Sequence, residues 1–391
     1  MTVAAPAVPG AVKGLSLVSL FNDFASEMVY PLLPAFVVGT LGGGALALGA
    51  LDGAADLTSA ALKVVSGRLA DRPGWRKPLI LLGYATAVLV RPLISAASAA
   101  WQVVGFRVVD RIGKGIRTPP RDALIAAVTP RAQRGRAFGF HRGADHFGAV
   151  LGSLAAWYCL VRGAEVRSVI AWSVAPGIIA FVVLALVLRG ARAAPAPAPA
   201  AQDRDAAGRV FWAPVGALAA LAFFRLPETL LLLRLQDRGV AVATIPLVWA
   251  GLHVVRSGSS YPGGWLSDHL GPRNAVAAGG ALFAMVAAGL ALELSPPVAI
   301  AAFLVLGLVA GLTESAERAL VARLAPVRTG RGFGVYHALT GIMALPAGLL
   351  FGALYQGRGG PGALAASAAG MLLATVVWVA AAPRHIQGGS A

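Results

Sequence analysis

The chain has 391 residues, of which 57% are hydrophobic and only 13% are charged. A soluble domain carries about a quarter charged residues, so this composition excludes an ordinary water-soluble protein and indicates a chain embedded in lipid. The single cysteine, Cys159, excludes a disulfide framework and any metal site built on several cysteines. The net charge of +16 would suggest nucleic acid in a soluble protein. In a membrane protein such charge orients the loops, and we predict no nucleic-acid partner.

Apolar stretches long enough to cross a bilayer, which takes about 20 helical residues, recur along the whole chain. Residues 1–14 lack the basic segment, apolar core and cleavage site of a signal peptide, so the first span is expected to direct insertion itself. Twelve spans are predicted, at residues 15–39, 44–66, 78–98, 100–128, 137–161, 168–188, 210–235, 243–266, 275–294, 298–324, 333–356 and 362–382.

Basic residues are distributed unevenly over the loops between these spans. If the amino terminus is cytoplasmic, the outer loops hold only Arg162, Arg167, Arg238 and Arg358, whereas the inner loops hold most of the other arginines. Because basic loops stay in the cytoplasm, this pattern predicts that both termini are cytoplasmic, in a multi-pass protein of the bacterial inner membrane.

The chain divides near its middle. Residues 193–208 are rich in proline and alanine and include Asp and Arg, a composition typical of an extended tether. We therefore predict an amino-terminal six-helix bundle at 1–190, a cytoplasmic linker at 191–209 and a carboxyl-terminal six-helix bundle at 210–391.

Short motifs recur on both sides of the linker at an offset of about 196 residues. Gly67-Arg-Leu-Ala-Asp71-Arg72-Pro-Gly74 returns as Gly264-Trp-Leu-Ser-Asp268-His-Leu-Gly271, and Arg121-Asp-Ala-Leu returns as Glu317-Arg-Ala-Leu. A duplicated membrane chain with polar residues inside its spans is typical of a transporter that works by alternating access.

With twelve spans, a central linker and a Gly-x-x-x-Asp-Arg-x-Gly loop after span two, the chain resembles the major facilitator superfamily. The resemblance implies an all-α membrane protein, a monomer, with two pseudo-symmetric bundles around a cavity lined mainly by spans 1, 4, 7 and 10. The string from Asp110 to Leu124 is similar to a bacterial subgroup whose substrates are largely unassigned. Arg111 stands where the family's span-four pattern usually has glycine, and Ser153 stands where its antiporters have proline.

Ionisable residues within the spans are candidates for substrate and proton binding, because a charge at the membrane centre costs at least about 2.5 kcal/mol. Asp23 and Glu27 share one face of span one, and Tyr30 lies one turn further on. Two carboxylates so close repel, which favours a proton on one of them. Alternatively, a neighbouring arginine neutralises one carboxylate.

Spans four and five carry a second group of candidates. Arg107 and Arg111 share a face, with Asp110 beside them, and bind either the carboxylates of span one or an anionic substrate; alternatively they form a fixed ion pair. His141, Arg142 and Asp145 open span five as a candidate proton relay, or else contact lipid headgroups and loops. No His-x-x-x-His spacing occurs, so we predict no metal and no cofactor.

The second half carries candidates in spans seven and eight. Arg225 and Glu228 flank Pro227, which frees a backbone carbonyl inside the membrane and marks either a cavity-facing stretch or a simple kink. His253 and Arg256 lie three residues apart in span eight.

A cytoplasmic gate is predicted at the inner ends of spans four and ten. Arg117 and Arg121 are complementary to Glu314 and Glu317, and we expect them to meet when the cavity faces outward; alternatively, the basic residues only anchor the inner surface. The resemblance implies that Asp71 faces the start of span eleven and Asp268 that of span five, each contributing roughly 0.3–2 kcal/mol at a helix amino terminus. The remaining predicted gating residues are Gly67, Arg72, Gly74, Arg76, Gly264, Gly271 and Arg273.

These features predict a secondary active transporter and not an enzyme. No Gly-x-x-x-x-Gly-Lys-Ser/Thr motif for ATP occurs, and neither does a catalytic cluster typical of a membrane-embedded enzyme. We predict that a small polar organic solute and protons are its partners besides membrane lipid, and that it exports the solute by antiport. Uptake by symport and transport of a metal ion or metallophore are the alternatives.

Overall fold

The computed structural model describes residues 9–70, 72, 74–130, 134–190, 209–324 and 329–382. Within these residues every regular element is helical, which confirms the predicted all-α membrane architecture of two six-helix bundles. The α-helices are α1 (Gly10–Val29), α2 (Ala45–Ala70), α3 (Arg76–Ser95), α4 (Ala100–Val128), α5 (Arg134–Val161), α6 (Val166–Trp172), α7 (Val174–Gly190), α8 (Arg209–Phe224), α9 (Glu228–Asp237), α10 (Ile245–Leu270), α11 (Pro272–Ala291), α12 (Pro296–Leu324) and α13 (Thr329–Ala381).

Several predicted spans are interrupted where the sequence removes a backbone donor or allows a turn. Span one continues beyond α1 as a 3-10 turn at Tyr30–Leu32 and a π-helix at Ala35–Thr40, beside Pro31 and Pro34. Span six comprises α6 and α7. Span seven breaks between α8 and α9 at Pro227, the predicted break. The long α13 contains spans eleven and twelve, which turn at Gly359 with φ of +73°.

Among the described residues, eight helical segments are long and apolar enough to cross a membrane, and the longest contains both spans of α13. The span that α4 forms is not among them, because residues 107–117, with both ends counted, include five charged residues. A charge density of this kind inside a span indicates that the helix faces protein or a polar cavity and not lipid.

We call the end of the molecule with the turns at Gly74 and Gly271 the inner end, following the predicted orientation. The opposite end, with the turns at 41–44 and 238–241, is the outer end. The largest apolar cluster contains outer-end residues of both halves, such as Leu48, Leu51, Leu230 and Phe351. A separate cluster at the inner end contains residues of the first half alone, between Val12 and Leu188. The halves are therefore packed together at the outer end.

A very close contact between the halves joins α2 to the first part of α13. A Cβ atom added to Gly49 would lie 1.9 Å from the carbonyl oxygen of Gly348 and 3.1 Å from the Cα of Gly352. Any side chain at Gly49 would overlap the facing backbone, so glycine is required for this approach. Small residues allow membrane helices to pack this closely.

Candidate functional site

A central cavity of about 650 Å³ lies between the two halves. Its walls come from α1, α2, α4 and α5 on one side and from α8 to α10, α12 and α13 on the other, so spans two, five, eight and eleven join the four predicted. Predicted binding residues that line it are Asp23, Glu27, Tyr30, Arg111, Arg142, Asp145, Arg225, Glu228, His253 and Arg256, and the predicted gating residue Glu314 lines it too.

Glu27 joins span one to span eight at the outer floor of the cavity. The indole Nε1 of Trp249 donates a hydrogen bond to Oε2 of Glu27 at 2.8 Å, and His253 Nε2 lies 3.8 Å from the same oxygen. The Tyr30 ring packs against Trp249 with 5.2 Å between ring centroids. Asp23 accepts a hydrogen bond from Asn22 and makes none to Glu27, so the two carboxylates have different surroundings.

Asp52 of α2 forms a second link between the halves at this floor. The Tyr30 hydroxyl lies 3.2 Å from both Asp52 carboxylate oxygens. In the other half, Thr229 donates to Asp52 Oδ2 from its backbone amide at 3.1 Å and from its hydroxyl at 2.8 Å. Because Thr229 lies in the first turn of α9, the carboxylate also meets the positive end of that helix.

We predict that Asp52→Asn weakens closure of the outer end. Charged hydrogen bonds contribute more than neutral ones, by about 1 kcal/mol, which corresponds to a shift of about fivefold in the closing equilibrium. The measurement is thiol labelling of a buried outer-end probe, Ala45→Cys in a Cys159→Ser background, which we expect to label faster.

The matched control is Asp56→Asn, one turn away on α2, because Asp56 lines the same cavity and makes no ion pair with a described residue. Equal labelling of the two variants would contradict a specific role for Asp52 in closure.

Three predicted binding residues lie behind the cavity wall. Arg107 pairs with Asp110 at 3.3 Å and lies over the Tyr30 ring, and Arg91 lies 3.8 Å from Asp110 and donates to Asn22. His141 is buried near Ser16 and Asp145. Arg107, Asp110 and His141 therefore hold helices together in this structure. Arg107 pairs with neither carboxylate of span one.

Ion pairs of the second half connect the break in span seven to its neighbours. Arg256 of α10 lies 2.7 Å from Oε1 of Glu228, at the start of α9. Arg225, at the end of α8, lies 3.7 Å from Glu317 of α12, which also accepts a hydrogen bond from Tyr336. These pairs compensate the charges of Arg225 and Glu228, which line the cavity on either side of Pro227.

The residues of the predicted inner gate do not meet in this structure. Arg121 pairs with Asp122 and donates to Ser19, whereas Glu317 pairs with Arg225. Arg117 donates to the carbonyl of Gly83 and lies over the Tyr84 ring at 4.5 Å. Each basic side chain thus stays within the first half. This is the arrangement expected when the inner end is open, and the gate itself stays a prediction.

The loop motifs form tight turns at the inner end. Gly74 and Gly271 have φ angles of +85° and +80°, which favour glycine. Arg76 donates to the carbonyl of Ala70 at 2.8 Å, and Arg273 donates to that of Val379. Gly67 and Gly264 lie within α2 and α10, and Arg72 is exposed. Asp71 and the side chain of Asp268 lie outside the described residues.

Other cavity residues carried a weak sequence signal or none. Asp52, Asp56 and Lys63 share a polar spacing in span two, and Lys114 is a charge in span four. Trp249 and His337 could not be distinguished from ordinary residues of an apolar span. Within the described ranges, no group of three or more His, Cys, Asp or Glu side chains is placed to hold a metal ion.

Two helical halves around a polar cavity, joined at one end, define a membrane transporter. The Major Facilitator Superfamily model matches residues 15–292, and the chain belongs to this superfamily. It is therefore a multi-pass transporter for small molecules and not an enzyme.

The similarity to other proteins of the superfamily extends over most of the chain in some cases and over part of it in others. It is 27% identical to an uncharacterized MFS-type transporter of Methanocaldococcus jannaschii, over 88% of this chain and 87% of that protein. It is 32% identical to the multidrug resistance protein MdtH of Photorhabdus laumondii over 32% of this chain and 31% of that protein. A POT family transporter solved with 5-aminolevulinic acid has the same fold, with a TM-score of 0.80, 11% identity and 96% of each chain covered.

Proposed function

We propose that this protein is a proton-coupled secondary transporter that exports a small polar organic solute across the bacterial inner membrane. The observation that carries the proposal is the central cavity, in which ionisable side chains of both halves face one space. Partial similarity to a multidrug resistance protein favours export. In this proposal both termini are cytoplasmic and the bundles 1–190 and 210–391 rock about the cavity, joined by the linker 191–209, of which residues 191–208 lie outside the described residues.

The outer-end contacts suggest how protonation and movement are coupled. Glu27 accepts from Trp249 and lies near His253, so its negative charge holds span one against span eight. A proton on Glu27 would remove that charge and weaken the link. Asp23 faces the cavity and receives a hydrogen bond from Asn22. We propose that Asp23 binds the transported proton and that Glu27 responds to it.

The test is solute-driven proton movement in proteoliposomes. Purified protein would be reconstituted with a trapped pH-sensitive dye and challenged with polar organic solutes outside. Antiport predicts that solute entry drives protons out, with a rate that saturates, because each solute must occupy the cavity. Acidification of the lumen would identify symport. A rate that rises linearly with solute would indicate a channel and contradict the proposal.

A further prediction concerns the inner gate, for which Arg121 and Glu317 are equivalent under the internal repeat. We expect Arg121→Glu and Glu317→Arg each to reduce transport several-fold, because like charges would then face each other in the outward-facing state. The double exchange should restore much of the rate. Surface expression and solute binding serve as controls, since Arg121 also holds Asp122 and Ser19. No rescue in well-folded protein would contradict a direct pair.

A further inference from the structure

The charged residues of the cavity fall into two groups. Three lining arginines each have a carboxylate partner: Arg142 lies 3.4 Å from Asp145, Arg225 lies 3.7 Å from Glu317 and Arg256 lies 2.7 Å from Glu228. Three other lining cations, Lys63, Arg111 and Lys114, have no carboxylate within 4.0 Å in the described part of the chain. We call these three residues the basic wall.

The basic wall lies on one side of the cavity and at one level. Arg111 and Lys114 are three residues apart on α4, so they share a helix face. Lys63 belongs to α2, which packs on α4 there, because Ser66 Oγ donates to the carbonyl of Gly115 at 2.7 Å. The three cations are therefore neighbours that repel one another.

The basic wall is also incompletely satisfied. The Nε atom of Arg111 is buried and has no hydrogen-bond partner. The cavity also contains carboxylates outside ion pairs, among them Asp23, Asp52 and Asp56, and none of these three lies within 4.0 Å of a side-chain nitrogen of the wall. An arginine fork beside two ammonium groups is suited to a carboxylate or a phosphate, which accepts several charged hydrogen bonds at once.

From this arrangement we propose that the transported solute is an organic anion whose acidic group binds between Lys63, Arg111 and Lys114. This inference rests on the proposed function of the cavity and specifies its substrate class. The wall attracts acids into the cavity and opposes lipophilic cations, since like charges raise the free energy of entry. Arg142, Arg225 and Arg256 contribute little to the attraction of acids or to the exclusion of cations, because a carboxylate already compensates each of their charges.

Binding of simple acids to the purified full-length protein tests the inference. The probes are succinate, benzoate and glycerol 3-phosphate, each beside its uncharged counterpart succinamide, benzamide or glycerol. The readouts are the thermal unfolding midpoint and tryptophan fluorescence, and Trp249 lies at the cavity floor. We expect at least one acid to bind with saturation, and its uncharged counterpart not to bind.

Variants of the wall provide the decisive comparison. Arg111→Gln and Lys114→Gln should each weaken binding of the acid by about tenfold or more, since each removes a charged hydrogen bond. Arg111→Lys keeps the charge and should give intermediate affinity, which would separate a binding role from misfolding. Lys13→Gln removes the same charge at an exposed site on α1 and should bind like the parent protein.

The outcomes distinguish this inference from the proposed function. Unchanged acid affinity in Arg111→Gln and Lys114→Gln overturns the inference, as does a panel in which no acid binds. Saturable proton-coupled flux of a neutral or cationic solute alone would also overturn it, while leaving the proposed function intact. If an acid binds through Arg111 but drives no proton movement, the inference holds and proton coupling fails.

Discussion

Gly49→Val is expected to reduce transport at least about a hundredfold while leaving each half of the protein folded. The valine Cβ would lie 1.9 Å from the carbonyl oxygen of Gly348. Because this oxygen belongs to the backbone of α13, it cannot rotate away as the end of a flexible side chain can. Overpacking of this kind costs about 3 kcal/mol or more, which shifts an equilibrium about a hundredfold. We therefore expect α2 and α13 to separate at the outer end, trapping the transporter with that end unsealed.

The measurement combines solute flux in proteoliposomes with labelling of Ala45→Cys. Gly49→Val should label faster than the parent protein, and Gly348→Val should do the same, because its Cβ would lie 2.1 Å from the carbonyl oxygen of Gly49. Gly105→Val is the matched control, since a Cβ on this α4 glycine meets no atom within 4 Å. Normal flux in Gly49→Val would mean that the tight contact has no part in the transport cycle.

Asp23→Asn is expected to abolish accumulation of solute against its gradient while preserving exchange at equal pH. The change keeps the shape and the hydrogen bond with Asn22 but removes the site that accepts a proton. Solute can then still cross the membrane, but a pH gradient no longer drives its accumulation. Counterflow of labelled solute measures exchange, and accumulation under an imposed pH gradient measures coupling.

Glu27→Gln is the comparison for this experiment, because its amide oxygen can still accept from Trp249. We expect weaker outer closure, seen as faster labelling of Ala45→Cys, with coupling partly retained. If coupling is lost in Glu27→Gln but not in Asp23→Asn, then Glu27 binds the transported proton and Asp23 does not. Retention of pH-driven accumulation in both variants would locate the proton site elsewhere in the chain.

The contacts proposed to close the outer end are of two physical kinds. The contact of Gly49 with Gly348 is steric, so it depends on backbone shape and not on pH. The links made by Glu27 and Asp52 are charged hydrogen bonds, which weaken when the carboxylate gains a proton. In the proposed cycle the steric contact seals the outer end and the charged contacts respond to the proton.

Hydropathy predicted the membrane spans, because an apolar stretch of about 20 residues has few ways to fold in a bilayer. Pro227 marked the interruption of span seven, and the linker and the Gly-x-x-x-Asp-Arg-x-Gly loop indicated the family. The sequence also indicated which side chains line the cavity, since most of the ionisable residues singled out within the spans face it. Charges in a span must face something polar, and the central cavity offers such a surface.

Which polar surface each charge faces was decided by tertiary structure. Arg107 and Arg111 share a helix and a charge, yet Arg107 packs against Asp110 and Tyr30 while Arg111 faces the cavity. Helical periodicity assigns residues to a face but does not say whether a neighbouring helix or a cavity covers that face. Trp249 acquires its role only because span eight meets Glu27, a contact more than 200 residues apart in the chain.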